Sequence, residues 1–338
     1  MRCPDCKHNQ RYRDGMRCGR CGYQFILRKR DDNFSDHALR QLIQRLSDQG
    51  NHAFTLTQLA FAICRYWSRN TRGCLIASLG FVALLSAVFW FLLHSSFALV
   101  WISIPLLLLL LWASRRKKTA LPLAKAQQLI QRYHQVHPIA PLADGQAFRQ
   151  QPRSANQDLQ YAPERILVVE RDDLVDLLVR NRFHLAHKTA VMSCSGYPQG
   201  IVAACRQFLA RYPNLPVYVL HDASLNGFRL TTRLAADPLW PLAAYPLIDL
   251  GLSKESIANA GSLPWLPTSH GEPVQGVLSA DHAKMLNAGY RFPLDGLPPK
   301  SFMNLLGAAM LGGLLILPAA QATGATEGEF GVEIDDFG

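Results

Sequence analysis

Two Cys-x2-Cys pairs open the chain, Cys3-Pro4-Asp5-Cys6 and Cys18-Gly19-Arg20-Cys21, with eleven residues between them. No other feature restricts the fold so tightly. A Cys-x2-Cys turn aims two sulfurs at one point, and zinc takes four thiolates at about 2.3 Å in a tetrahedron. Gly19 and Gly22 permit the tight knuckle. The spacing predicts a structural zinc ribbon over residues 1–30 with Cys3, Cys6, Cys18 and Cys21 as ligands. A disulfide pair is the alternative, and a cytoplasmic setting disfavours it. Ribbons bind nucleic acid, bind protein or only fold, and Arg11, Arg13, Arg17 and Arg20 suit all three. Cys64, Cys74, Cys194 and Cys205 sit in apolar patterns and read as small buried hydrophobes.

The chain has 338 residues, 49% hydrophobic and 18% charged. That apolar content excludes a disordered chain, and the length and cysteine layout exclude a small disulfide scaffold. Leu75–Leu93 carries no charge over nineteen positions and Phe97–Ala113 none over seventeen. Each is long enough for a bilayer core of about 30 Å. His94-Ser95-Ser96 between them allows only a tight turn, so a two-helix transmembrane hairpin is expected over residues 73–114. Arg65, Arg69 and Arg72 precede it and Arg115, Arg116, Lys117 and Lys118 follow it. The positive-inside bias then puts both flanks in the cytoplasm of an inner-membrane, multi-pass protein. A third uncharged run, Phe302–Ala320, reads either as a span or as a core helix, with the core reading ahead because Pro298-Pro299 opens it like a helix N-terminus.

The net charge is +10, and residues 1–72 hold fourteen Lys/Arg against six Asp/Glu. Such a balance suits nucleic acid or an anionic lipid surface. Residues 31–72 read as a small helical segment, possible as part of a winged helix. Its first helix spans Asp36–Gln49 and ends at Gly50. Its second runs through Trp67 behind the capping box Thr55-Leu56-Thr57-Gln58. Residues 115–162 read as a linker, with one helix over Leu121–His134 and a tether rich in Pro, Gln and Ala after it. Residues 321–338 form an acidic tail.

Between them, residues 163–320 alternate strands and helices. Strands are expected at Ile166–Val169, Thr189–Ser193, Pro216–Leu220 and Pro246–Leu250, and helices at Asp172–Asn181 and Gln199–Arg211. Continuous apolar runs alternating with helices argue a parallel sheet covered on both faces. Chemistry in such sheets gathers at the carboxyl ends of the strands. Glu170 and Asp222 both fall there, fifty-two residues apart. Two converging carboxylates would attract Mg²⁺ and with it phosphate.

These residues also carry a family resemblance. Glu170 follows a strand, Gly196-Tyr197-Pro198 precedes a helix containing Arg206, Leu215–Leu220 leads to His221-Asp222-Ala223-Ser224-Leu225-Asn226-Gly227, and Leu250-Gly251-Leu252-Ser253 comes later. In that order they resemble a Toprim domain, most of all that of the topoisomerase VI A subunit and related meiotic DNA-break proteins. Leu294-Asp295-Gly296-Leu297-Pro298-Pro299 resembles a segment that follows the core of such proteins. The resemblance implies Mg²⁺ binding and phosphoryl transfer on DNA, with Glu170 and Asp222 as ligands or acid/base groups. Ser224 stands where the family has a second Asp and would be a weak neutral ligand, and Leu225 stands where it has Pro. Asp249, Asp172 or Asp173 replaces the lost carboxylate only if the fold brings one close. The family's DNA-cleaving tyrosine would fall near Ala60 or Phe61, and neither is one. A tyrosine topoisomerase is therefore not expected. Arg206 and Arg229 are candidate phosphate contacts.

The chain is thus expected to be multi-domain: a zinc ribbon, a two-helix transmembrane hairpin and an α/β Toprim-like domain with a parallel sheet. The expected function is a membrane-anchored protein acting on or binding nucleic acid, DNA in particular, through Mg²⁺ at Glu170 and Asp222. Defence against foreign DNA is a context that fits. The alternative is a non-catalytic membrane adaptor whose degenerate Toprim-like domain and zinc ribbon bind protein partners in a multi-component complex.

Overall fold

The computed structural model describes residues 1–67, 122–149, 163–212, 214–238, 240, 242–252, 265–268, 280–313 and 315. The ribbon comes first and is stitched by isolated bridges Arg2 to Asn9 and Arg17 to Gln24. Helix α1 (Lys29–Asp32) leads into α2 (Asp36–Leu46). Ser35 caps α2 by accepting from the Ala38 N–H at 3.2 Å. The helix stops three residues earlier than expected, because Asp48, Gln49 and Gly50 all take positive φ. Strand β1 (Phe54–Thr55) then runs into α3, residues 56–67. The capping box is present in full. Thr55 Oγ1 accepts from the Gln58 N–H at 3.2 Å, and Gln58 Oε1 accepts from the Thr55 N–H at 2.9 Å.

Helix α4 (Leu123–Val136) packs Leu129, Ile130 and Tyr133 against Leu39, Phe54, Leu59 and Ile63. Residues 137–149, read in the sequence as tether, fold back. Strand β2 (Leu142–Ala143) pairs in parallel with β1. Leu142 joins this helical core while Ala143 joins the core of the α/β unit. Burying alternate residues on two cores ties the halves of the molecule together.

The α/β unit holds β3 (Arg165–Val169), α5 (Asp172–Arg180), α6 (Phe183–Ala186), β4 (Thr189–Ser193), α7 (Gln199–Arg211), β5 (Val217–Leu220), α8 (Leu230–Ala236) and β6 (Leu247–Asp249). All four strands are parallel, in the order β4-β3-β5-β6. Leu167 and Val169 face one core with Leu174, Leu177 and Phe302. Ile166 and Val168 face the other with Val202, Cys205 and Trp240. That two-residue alternation between two apolar layers is why the strands read as unbroken apolar runs. A short antiparallel pair, β7 (Leu266–Pro267) and β8 (Tyr290–Arg291), follows, with α9 (Ala280–Asn287) before β8.

Helix α10 (Pro299–Gly312) begins on Pro299 as expected and ends at Gly313, whose φ of 71° suits a glycine cap. It buries Phe302, Leu306 and Met310 in the α/β core. Its fourteen residues span about 21 Å at 1.5 Å each, short of a bilayer core of about 30 Å. Two expectations are corrected at this point, the transmembrane hairpin in the fold class and the inner-membrane, multi-pass location. Among the described residues no helix is long and apolar enough to cross a membrane. The runs 75–93 and 97–113 that carried those expectations lie outside the described residues, as do 150–162, Ser253 and the acidic tail.

Candidate functional site

Two clusters hold chemistry-bearing side chains. The first is the ribbon, where the same knuckle is built twice. Cys3 O accepts from the Lys7 N–H at 3.0 Å, and Cys18 O from the Gly22 N–H at 2.9 Å. The Cys3 N–H donates to His8 O at 2.9 Å, and the Cys18 N–H to Tyr23 O at 2.8 Å. Lys7 and Gly22 hold matching positions with φ of 58° and 75°. These repeats bring the four sulfurs within 4.8 Å of one another. The Cys3–Cys21 and Cys6–Cys18 sulfurs are 3.5 Å apart. A zinc tetrathiolate with bonds of about 2.3 Å has edges of about 3.8 Å, so the residues present fit such an ion. Burial pushes the Cys3 thiol up to about 12, whereas the Cys21 N–H holds Cys18 down at about 6. Four cysteines at the N-terminus are therefore placed to bind a metal such as zinc.

The second cluster lies at the carboxyl edge of the sheet. Strands β3 and β5 are neighbours in space but not in sequence, which makes the gap between their ends the crevice of this fold. Glu170 and Asp222 both lie at this edge, but the contact between them joins the Glu170 carboxylate to the Asp222 backbone rather than two carboxylates. Glu170 Oε2 accepts from the Asp222 N–H at 2.9 Å, and Ser224 Oγ lies 3.4 Å from Glu170 Oε1. Ser224 Oγ also accepts from the Gly227 N–H at 2.8 Å. The Asp222 side chain is fully buried and already partnered. Its Oδ1 accepts from the Leu294 N–H at 2.9 Å, and its Oδ2 pairs with the Arg291 guanidinium and lies 3.7 Å from Arg171 Nε.

Arg171 is the hub of this edge. It reaches Asp173 at 3.4 Å and Asp295 at 2.9 Å as well as Asp222. Asp295, fully buried, also accepts from Thr55 Oγ1 at 2.6 Å. Burial raises the Glu170 and Asp173 pKa values above the ordinary carboxylate range. Burial acts on Asp295 too, but Arg171 and Arg291 outweigh it and hold that acid low. Burial also pushes the Arg291 guanidinium down to about 10, with Arg171 adding to the effect.

None of the proposed replacement acids joins Glu170 and Asp222. Asp249 faces His221 Nε2 at 3.0 Å, Asp172 accepts from Ser195 Oγ at 2.7 Å and Arg149 at 3.1 Å, and Asp173 faces Arg171. Among the described residues, the cysteines are the one convergent group of three or more His, Cys, Asp or Glu. Arg206 stands over the Trp240 ring at 5.5 Å, and Arg229 is partly buried on the turn Gly227–Arg229.

Arg171, Arg291, Asp295 and Thr55 escaped the sequence reading as members of this edge. The segment Leu294–Pro299 stands out in the sequence, but nothing in it points to Asp295 as a partner of Arg171. His221, buried beside Asp222, is packed between two glycines. A Cβ on Gly251 would come within 2.0 Å of His221 Nε2, and one on Gly227 within 2.2 Å of Asp222 O. No family model matches the chain, and neither does any curated protein or solved structure.

Proposed function

We propose that the chain is a non-catalytic binding protein. In this reading a zinc ribbon on a helical base is braced against a Toprim-like α/β unit whose acids serve as a structural ion-pair centre. One observation carries it: both carboxylate oxygens of Asp222 are taken, Oδ1 by the Leu294 N–H and Oδ2 by Arg291, with Arg171 beside it. A buried acid whose two oxygens already face a backbone N–H and a guanidinium is a poor ligand for Mg²⁺, because binding the ion would displace those partners and leave buried charges unpaired. Arg171 also pairs with Asp295, which the Thr55 hydroxyl reaches from the other half of the molecule. Zinc at the four cysteines would stabilise the ribbon outright, because the unfolded chain lacks the assembled site and the binding free energy then becomes folding free energy.

The second reading is a Mg²⁺-dependent phosphoryl-transfer site, favoured by the meeting of Glu170 and Asp222 at the strand crevice. Nicking of supercoiled plasmid by the full chain with Mg²⁺ or Mn²⁺ separates the two. No nicking is expected, and no difference between the native chain and Glu170→Ala. Metal-dependent nicking that disappears in Glu170→Ala would overturn the proposal.

A further inference from the structure

Tyr12 is 45% exposed, yet it is tied in place. It opens the short turn Tyr12–Asp14 between the two knuckles, and its phenol oxygen accepts from the Lys29 N–H at 3.0 Å. That bond joins two basic runs that are distant in sequence, Arg11-Tyr12-Arg13 and Arg28-Lys29-Arg30, all of them exposed. Three acids, Asp14, Asp31 and Asp32, stand beside these five cations and offset part of their charge, and Asp32 is itself paired with Arg132. Asp14 lies 3.8 Å from Arg13 and Asp31 3.9 Å from Arg28, in pairs exposed on both sides and screened by water. Arg2, Lys7, Arg17 and Arg20 are exposed on the same ribbon. A divalent ion held by four thiolates subtracts only about two charges from this surface.

A fixed, water-facing aromatic ring set among cations fits one ligand chemistry better than others. Duplex bases are stacked on one another and cannot reach Tyr12. An acidic peptide satisfies the arginines but offers the ring nothing. A single strand supplies both parts, a base with a π face for the tyrosine and phosphates for the arginines. Resting on the reading of the chain as a binding protein, we infer that the Tyr12 turn of the ribbon is a site for single-stranded nucleic acid. One base stacks on Tyr12 and the flanking phosphates meet Arg11, Arg13 and Arg30.

The test is fluorescence anisotropy with the zinc-loaded full chain. Its probes are a labelled oligothymidylate, the same strand paired with oligoadenylate, and vesicles of equal parts phosphatidylcholine and phosphatidylserine. The single strand should bind most tightly, with log affinity falling linearly against log salt. Replacing Arg11 and Arg13 together with Ala should flatten that slope by about 1.4, at about 0.7 per lost phosphate contact. Tyr12→Ala should weaken binding about tenfold, while Tyr12→Phe, which keeps the ring, should hold most of the affinity. Zinc content and circular dichroism of each variant report whether the ribbon stays folded, and the arginine pair tests the site without touching the Tyr12 bond. The inference is overturned if the single strand does not bind at low salt, if the duplex binds as tightly, or if vesicles bind instead. Equal loss in Tyr12→Ala and Tyr12→Phe would overturn it as well. Any of these leaves the binding-protein reading intact, since that reading falls only to metal-dependent nicking.

Discussion

The cysteine cluster and the strand-end acids are made of comparable material and end in opposite states. Each holds four ionisable side chains: Cys3, Cys6, Cys18 and Cys21, which converge, in one, and Glu170, Asp173, Asp222 and Asp295, strung along the sheet edge, in the other. In the ribbon the backbone does the positioning, with each knuckle closing on its own N–H groups, so the sulfurs point at one another across a shared centre. At the sheet edge two arginines stand among the acids, and Asp173, Asp222 and Asp295 face guanidiniums while Glu170 faces a backbone N–H. Ligand-type residues in one place are thus insufficient for a metal site. What else the same atoms touch decides whether they are available.

The largest expected effect breaks the ribbon half of that contrast. Cys18→Ser, or chelation of the native chain, should remove a metal worth about 10–16 kcal/mol in isolated zinc peptides and unfold the ribbon. Elemental analysis should find one zinc per native chain and none in the variant. Unchanged metal content would mean that the cysteines are not its ligands.

Next comes the hub of the acidic edge. Arg171→Met leaves Asp173, Asp222 and Asp295 without their shared cation, and urea denaturation should show a loss of about 3–5 kcal/mol. Added Mg²⁺ should then stabilise this variant more than the native chain, because freed carboxylates become ligands. A variant as stable as the native chain would mean that the guanidinium is not what occupies the edge.

A smaller effect is expected at Gly251→Ala, whose new Cβ would strike the His221 ring. Overpacking of this kind costs about 1–3 kcal/mol. Combining it with His221→Ala should cost less than the two changes added, and strict additivity would show that the two do not touch. Thr55→Val should follow at about 1–2 kcal/mol, since it removes both the cap of α3 and the hydroxyl bonded to Asp295. A thermal melt unchanged by this substitution would sever the proposed brace between the two halves.

The subtlest prediction concerns pH. Burial raises the Glu170 pKa above its ordinary 4.5, so the folded chain holds that proton more tightly than the unfolded one. The resulting stability is fully present below the ordinary value and is lost as pH rises through the folded pKa. Glu170→Gln cannot ionise, so it should gain stability relative to the native chain across that rise. A divalent ion on the ionised carboxylate would reverse the sign, with the native chain gaining as pH rises.

Much of the fold was legible because its signals are local. The strands Thr189–Ser193 and Arg165–Val169 announced themselves as apolar runs, and Thr55-Leu56-Thr57-Gln58 closed the capping box its spacing promised. The membrane reading also rested on local hydropathy, and α10 shows how such a run can serve a core, with Phe302, Leu306 and Met310 turned inward. The fold-back of residues 137–149 was not legible, because two residues of parallel pairing, Leu142–Ala143 with Phe54–Thr55, leave no periodicity to read.

By itself the sequence determined the placing of the four cysteines, the order of strands and helices, and the position of Glu170 and Asp222 at the strand ends. Each follows from spacing within a few residues or from a rule of parallel sheets. Only the tertiary structure decided which groups those acids face. Arg291 lies sixty-nine residues from Asp222, and Thr55 lies 240 from Asp295. Which cation or hydroxyl reaches a buried carboxylate depends on loops that no local pattern encodes, and in a low-dielectric interior that neighbour, rather than the carboxylate's own identity, sets its charge and its role.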